Sequence, residues 1–139
     1  MGDAVQRMCD ELEIRNLLAR LAQASDDGEL DEYMACMHED AVWGGTGFPA
    51  RRGHAEIREG AVGRRADGIA GPGTHTRHLI STSHVDVQGD TATARSIFLF
   101  YGDTHQTPEL RMMGVWEDEF LRTDAGWKLS RRTIVREEA

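Results

Sequence analysis

The hydrophobic residues of this 139-residue chain recur with a helical period in its first half and with a period of two in its second half. Over residues 14–25 they fall at the i, i+3, i+4 and i+7 positions of one buried helix stripe. From residue 75 onward, apolar and polar residues alternate over long segments, which is typical of half-buried strands. Helices followed by an antiparallel meander predict an α+β domain. A strongly curved sheet with the helices on its concave face would enclose a pocket.

Turn-forming residues set the expected boundaries of the elements. The pattern predicts three helices, at 14–25, about 29–38 and 53–65. It predicts a short strand at 41–43 and four long strands at 75–87, 91–102, 109–122 and 127–136. Residues 44–49 and the glycine-rich segment 66–74 are predicted loops. A chain of this length supports one compact domain, here taken as residues 1–139.

A second apolar stripe precedes the first helix and is formed by Val5, Met8, Cys9 and Leu12. It is offset from the stripe of residues 14–21 by nine positions, which is half a turn at 100° per residue. A single straight helix would therefore carry apolar stripes on opposite faces. Either the helix breaks near residues 11–13 or the first stripe packs on something else, of which a partner subunit is one candidate.

The charge balance excludes several classes of partner. With 24 acidic and 16 basic residues the formal net charge is −8, whereas nucleic acids and anionic membranes attract basic surfaces. No apolar run approaches the ~20 residues of a membrane span, and the charged N-terminus does not look like a secretory signal. We therefore expect a cytoplasmic protein that binds neither nucleic acid nor membrane, with Cys9 and Cys36 as free thiols.

His78 and Asp26 are the candidate catalytic residues. His78 begins a long predicted strand beside apolar neighbours, and Asp26 lies where the first helix ends, on the expected rim of a pocket. A carboxylate bonded to one imidazole nitrogen fixes the tautomer and leaves the other nitrogen as a base. The alternatives are a structural histidine and an aspartate that only caps a turn.

The same residues permit a metal site, with His75 and His78 as an H-x-x-H pair and Asp26 as a third ligand. Residues three apart on a strand point to opposite faces, which disfavours this arrangement unless the strand bulges. His84 shares parity with His78 but lies roughly 20 Å further along the strand at ~3.3 Å per residue. No nucleotide-binding or other cofactor signature occurs, so we expect neither metal nor cofactor.

Successive side chains on a strand point to opposite faces, and this alternation predicts which residues line the pocket. On the first long strand, one face carries Thr76, His78, Ile80 and Thr82. On the next strand, the inner face carries Ala92, Ala94, Ser96, Phe98 and Phe100. Other residues that could complete the lining are Trp43, Phe48, Met112, Gly114 and Trp116. The alternative is that these side chains fill an ordinary core. The pairs 51–52 and 131–132 are expected to be solvated arginines, although one arginine could hold an anionic substrate group.

Together these features resemble the SnoaL-like branch of the NTF2-like superfamily over roughly residues 10–136. The segments that carry the resemblance are EIRNLLARLAQASDDGELDEYMACMHEDAVW, GHAEI, THTRHLISTSHVDVQGDTATARS and WEDEFLRTDAGWKLSRRTIVRE. The resemblance implies a cone-shaped barrel, with N-terminal helices on the concave face of a curved, mixed and mainly antiparallel sheet. Members of this superfamily commonly pair through the outer face of the sheet.

The catalytic pattern looks like that of scytalone dehydratase and hexachlorocyclohexane dehydrochlorinase, which use a histidine–aspartate dyad and no cofactor. The matching positions here are His78 and Asp26, the latter preceding Asp40-Ala41-Val42-Trp43. The chain departs from the dehydratases in lacking a tyrosine before Asp26, where Leu21 stands, and in having Thr82 where asparagine is common. Tyr33 and Tyr101 match no family tyrosine. The substrate therefore does not carry over.

These observations predict a cofactor-free lyase or isomerase acting on a small hydrophobic cyclic or aromatic molecule. The candidates for a second proton donor are His105, Tyr101 and Arg111. The alternative is a non-catalytic binding or assembly module resembling the small subunit of aromatic-ring dioxygenases. We expect a homodimer or homotrimer through the sheet, using exposed apolar residues at positions Ile97, Leu99, Val115 and Ile134.

Overall fold

The computed structural model describes residues 2–136, which form three helices and one six-stranded sheet. The elements are α1 (Gly2–Asp27), α2 (Leu30–Ala35), β1 (Met37–Gly45), β2 (Phe48–Arg52), α3 (Gly53–Ala66), β3 (Arg77–Gln88), β4 (Thr91–Gly102), β5 (Glu109–Thr123) and β6 (Gly126–Arg136). The strand order is β2-β1-β6-β5-β4-β3, with β1 parallel to β6 and the other neighbours antiparallel. The predicted α+β architecture with a mixed, mainly antiparallel sheet is confirmed.

Helix α1 is continuous over 26 residues, so the chain does not break near residues 11–13. Its second stripe, around Leu17 and Leu18, is buried and packs α1 on β3, which stabilises the fold by roughly 1.5–3 kcal/mol per buried leucine. Met8 and Leu12 of the first stripe are each 61% exposed. The half-turn offset is therefore real, and the first stripe faces away from the core of this chain.

The region after α1 contains more strand than its sequence predicts. The strand expected at 41–43 extends over Met37–Gly45, and β2 begins at Phe48, so only residues 46 and 47 of the predicted loop 44–49 lie outside strands. Glycines at 44, 45 and 47 favour a loop in the sequence, but Gly45 allows the backbone of β1 to approach that of β6 closely. It has φ +143°, and a β-carbon there would collide with the backbone of Ile134 on β6. Glycine is thus what allows β1 and β6 to pair at this point.

A β-bulge in β3 changes which side chains face the helices. Ile80 pairs with Phe98, but Thr82 pairs with Ile97, so one extra residue stands in β3. A bulge of one residue switches the inward set from even to odd positions. The prediction that Thr82 shares a face with His78 is therefore wrong, and Thr82 is exposed. His84 is also exposed, on the face opposite to the helices.

The inner face of the sheet, against which the helices pack, holds the core, and the outer face is partly apolar. Leu79, Leu99 and Met113 are neighbours across β3, β4 and β5 on the outer face. Leu79 is 49% and Met113 53% exposed. Ile134, predicted to be exposed on this face, is 5% exposed and faces inward, and the outward position is Val135. In residues 2–136 no helix has the length and apolarity to cross a bilayer.

Asp10 joins α1 to the β5–β6 hairpin. Its buried carboxylate accepts two hydrogen bonds from the Arg122 guanidinium, at 2.7 and 2.8 Å, and one from Trp127 Nε1 at 3.1 Å. These donors, of which Arg122 is the strongest, hold the pKa of Asp10 well below its ordinary value. Charge-assisted bonds of this kind fix the register of a helix against a sheet.

Replacing Asp10 with asparagine is expected to lower the free energy of unfolding at pH 7 by about 1–3 kcal/mol, because charge-assisted bonds are lost. The folded-state pKa is depressed, so the stabilisation is complete above the ordinary value of 3.8 and is lost as the pH falls below it. Urea unfolding at pH 7 and pH 3 should therefore show a smaller difference from wild type at pH 3. Asp124→Asn, in the exposed β5–β6 turn, is the control with little expected effect. Equal losses in both variants would contradict the anchoring role of Asp10.

Candidate active site

Asp26 and His78 are in direct contact. The distance from Asp26 Oδ1 to His78 Nδ1 is 2.6 Å, and Asp26 Oδ2 accepts a 3.0 Å hydrogen bond from the backbone N–H of His78. The side chains are 3% and 18% exposed, respectively. An acceptor on Nδ1 selects the tautomer of the neutral ring that carries its proton there. Nε2 is then left with a free lone pair.

Local sequence places the two groups together. Asp26 lies in the last turn of α1, and Gly28 ends the helix with its N–H bonded to Ala24. His78 is the second residue of β3, the strand on which the buried stripe of α1 packs. The backbone N–H of His78 holds the Asp26 carboxylate in place, and the imidazole cannot rotate without losing its own bond from Nδ1 to that carboxylate.

Aromatic side chains surround the imidazole. Its ring centroid lies 4.5 Å from that of Phe100 and 5.8 Å from that of Trp116. Trp116 in turn stacks on Phe98 at 4.8 Å. Apolar surroundings exclude water and strengthen the charge interactions of any proton transfer that takes place there.

His78 opens onto a cavity of about 90 Å³ between the helices and the inner face of the sheet. This is room for several water molecules, at the ~10–15 Å³ that each requires, or for one small organic molecule. Six of the residues predicted to bind substrate line it: Trp43, Phe48, Phe98, Phe100, Met112 and Trp116. The predicted pocket is thus present in the structure and is not filled by side chains.

Some residues that were predicted to face the pocket do not line the cavity: Thr76, Thr82, Ala92, Ala94, Ser96 and Gly114. Among the residues predicted to bind substrate, the exception is Ile80. It packs half-buried against the core and does not line the cavity. It is the last residue before the bulge in β3, where the strand leaves the cavity. The prediction that Ile80 binds substrate is therefore corrected.

The suggested second proton donors also lie elsewhere. Tyr101, His105 and Arg111 are absent from the cavity lining. His105 is exposed and stacks on His75 at 3.9 Å, while Arg111 pairs with Asp103 at 3.5 Å. Within residues 2–136 no three His, Cys, Asp or Glu side chains are grouped as metal ligands.

Four polar residues that the sequence did not assign to the pocket line the cavity: Ser25, Tyr33, Arg64 and Arg132. Tyr33 is buried, and this burial raises the pKa of its phenol, which favours the protonated, hydrogen-bond-donating form. The helical spacing of α2 already put Tyr33 on a buried stripe, and a buried tyrosine hydroxyl normally needs a polar partner. The buried stripe of α2, together with this need for a polar partner, could have indicated from the sequence that Tyr33 lies at a polar site.

Arg132 corrects the expectation of a solvated arginine pair at 131–132. It is 5% exposed, donates from Nε and Nη2 to Asp118 at 2.8 and 2.9 Å, and lies 3.8 Å over the Trp116 ring. Burial raises the pKa of Asp118, against the opposing effect of Arg132. The two bonds to Asp118 leave Nη1 of the guanidinium as a donor for the cavity. Arg131, its neighbour, is exposed and pairs with Glu119.

Comparison with known proteins agrees with this architecture. Residues 6–133 match the model of the SnoaL-like domain. An uncharacterized protein of Mycobacterium tuberculosis is 29% identical over 134 residues, which are 93% of this chain and 86% of the relative. The chain therefore belongs to the SnoaL-like domain family, as the resemblance implied.

Solved structures show the same fold. An NTF2-like protein with a cystatin-like fold from Novosphingobium aromaticivorans superposes with a TM-score of 0.83 and 26% identity, covering 99% of this chain and 88% of the other. A proposed aromatic ring hydroxylase from the same organism superposes with a TM-score of 0.80 and 28% identity, covering 95% of this chain and 92% of the other. A proposed scytalone dehydratase from that organism superposes with a TM-score of 0.73 and 22% identity, covering 99% of this chain and 89% of the other. The NTF2-like fold is thereby confirmed.

Proposed function

We infer that this protein is a cofactor-independent lyase or isomerase that acts on a small hydrophobic cyclic or aromatic molecule. The observation that carries the proposal is the double attachment of Asp26 to His78, with the imidazole facing an open apolar cavity. His78 is the general acid and base. Asp26 is a positioning residue that orients the ring and stabilises the imidazolium formed when Nε2 takes a proton.

In an elimination, Nε2 of His78 removes a proton from carbon, and the electron pair of that C–H bond forms the new double bond. The bond from the adjacent carbon to the leaving group breaks, and a departing hydroxide takes the proton back from His78 to leave as water. In an isomerisation, His78 returns the proton to a different carbon. Both reactions balance without a cofactor.

Arg132 and Tyr33 replace the donors that the sequence suggested. Nη1 of Arg132 and the phenol of Tyr33 are cavity-lining donors that can stabilise negative charge on a substrate oxygen or a leaving group. Preorganised donors aimed at developing charge contribute strongly to catalysis where water is excluded. The fold neighbour named as a scytalone dehydratase is 22% identical and supports the architecture, while the reaction assignment rests on the site.

The test is proton exchange at carbon. A panel of hydroxylated and halogenated cyclohexane, cyclohexenone and aromatic compounds is incubated with the protein in D₂O and followed by ¹H NMR. We expect wild-type protein to eliminate water or halide from a panel compound, or to exchange its acidic C–H, and His78→Gln to do neither. Equal exchange by both proteins would contradict the proposal. Ligand binding without exchange by wild type would favour the alternative, a non-catalytic binding module.

The outer face of the sheet supports assembly into a homodimer or homotrimer. It carries a contiguous apolar band around Leu79, Leu99 and Met113, and such bands on soluble domains commonly mark protein interfaces. We expect wild-type protein to run as a dimer or trimer in light scattering and Met113→Lys to run as a monomer. Leu12→Lys, on the exposed stripe of α1, should keep the wild-type mass. Loss of assembly in the Leu12 variant alone would place the interface on α1 instead.

A further inference from the structure

The cavity has a positively charged end formed by Arg64, whose guanidinium has no part in the proton-transfer mechanism. Arg64, on α3, lies with its Cζ 4.5 Å from the centroid of the Trp43 ring, and both residues line the cavity. Arg64 is half-buried, and burial lowers the pKa of its guanidinium. A cation held in such surroundings is destabilised unless an anion accompanies it.

Arg64 lacks the carboxylate partner that Arg58 and Arg132 have, and its polar side-chain neighbour is the phenol of Tyr33. Arg58 pairs with Asp31 at 2.6 Å, Arg65 donates to the carbonyl of Ala24, and Arg132 is neutralised by Asp118. For Arg64, residues 2–136 supply no carboxylate within ion-pairing distance. Its charged neighbours, Arg51 and Arg65, are themselves positive. The Arg64 end of the cavity therefore carries a charge that the described chain does not balance.

The topology attaches this charge and the proposed base to opposite ends of the strand order, because α3, which carries Arg64, packs on β1 and β2, whereas His78 lies on β3. The strand order β2-β1-β6-β5-β4-β3 places His78 of β3 and Trp43 of β1 toward opposite ends of the sheet. Trp116 of β5 and Arg132 of β6 lie between them. A molecule that spans the cavity can thus place one group on Arg64 and its reacting carbon at His78.

We propose that Arg64, flanked by Tyr33, is a binding subsite for a carboxylate, so that the protein selects a small cyclic carboxylate over a neutral analogue. A planar carboxylate matches the hydrogen-bonding edge of a guanidinium, and Tyr33 adds a hydroxyl donor on the same side. The aromatic rings of Trp116 and Phe98 contact the ring of the bound molecule. The inference deepens the proposed function by naming the substrate class, and it concerns binding rather than proton transfer.

The experiment compares benzoate with benzamide, which has nearly the same shape and no charge. Binding is followed by the fluorescence of the cavity tryptophans, Trp43 and Trp116, and by calorimetry. We expect wild type to bind benzoate at least ~10-fold more tightly than benzamide, as a charge-assisted bidentate contact implies. Arg64→Gln should lose this preference by weakening benzoate alone, and Arg64→Lys should keep part of it. Arg52→Gln removes the same charge from the exposed strand β2 and should bind both probes as wild type does.

The test separates this proposal from the proposed function. His78→Gln abolishes proton transfer but should retain the preference for benzoate, because its Arg64 end is unchanged. Equal binding of the two probes by wild type, binding of neither, or a preference that survives in Arg64→Gln would each overturn the carboxylate subsite. None of these outcomes bears on proton exchange at His78, which the deuterium experiment measures.

Discussion

Replacing His78 with glutamine is expected to lower kcat/KM for the converted substrate by ~10²–10⁴-fold, the usual contribution of a positioned general base. Glutamine keeps a hydrogen-bonding group of similar size opposite Asp26 but cannot accept and return a proton. Cavity ligands should still bind to the variant, because the aromatic lining is unchanged. Steady-state kinetics with a compound from the panel, together with its binding constant for the variant, provides the measurement.

Asp26→Asn tests the positioning role separately. The amide can present a donor to Nδ1 and favour the wrong tautomer, so we expect a loss of kcat of similar order with KM little changed. The neighbouring Asp27→Asn is a matched control, because Asp27 is exposed and forms only a surface ion pair with Arg77 at 3.1 Å. A surface pair of this kind contributes little. Equal losses for Asp26 and Asp27, or full activity in Asp26→Asn, would contradict the assignment.

Asp118→Asn is expected to have the largest effect on stability, lowering the free energy of unfolding by about 3–5 kcal/mol. The change removes the charge that accompanies Arg132, which then stays buried and uncompensated against Trp116. The adjacent pair of Glu119 and Arg131 provides the control. Its side chains are 57% and 48% exposed, so Glu119→Gln should cost under ~1 kcal/mol. Urea unfolding of both variants makes the comparison.

A double variant completes the cycle for the buried pair. Asp118→Asn combined with Arg132→Met removes both charges, and we expect it to recover most of the stability lost by Asp118→Asn alone. The same double variant should reduce turnover, because Nη1 of Arg132 is a proposed donor to the substrate. The cycle also needs the single variant Arg132→Met. If the stability losses of the two single variants add up to the loss of the double variant, the coupling between Asp118 and Arg132 is contradicted.

The elements with strong periodicity could be predicted from the sequence, and so could the pair at the centre of the site. The stripe of α1 indicates which of its side chains are buried, and the alternation in the meander does so up to the irregularities in β3 and β6. The end of the helix and the start of the strand made Asp26 and His78 candidates, and the resemblance to the histidine–aspartate enzymes of the NTF2-like superfamily pointed to them as a pair. The strands β1 and β2 were underestimated because glycine favours loops locally, while Gly45 is needed for contact with β6.

The polar residues of the cavity could not be placed by strand alternation. In β6, Trp127 and Leu129 are buried at odd positions, whereas Arg132 and Ile134 are buried at even positions. The change coincides with an irregularity between β5 and β6, at the step from Glu119 to Phe120. A bulge of this kind has no local sequence signature here. It reversed the expected exposure of Ile134 and turned Arg132, expected to be solvated, toward the cavity.

The central claim is that Asp26 holds His78 with an unprotonated Nε2 facing the cavity, and ¹⁵N-resolved NMR of the imidazole tests it most directly. At pH 8.5 in ¹⁵N-histidine-labelled protein, we predict a His78 ring with the proton on Nδ1 and a free lone pair on Nε2. The Nε2 resonance should shift when a cavity ligand such as benzoate is added, and Asp26→Asn should alter the tautomer. A proton on Nε2 in the free protein, with no response to the ligand, would contradict the account.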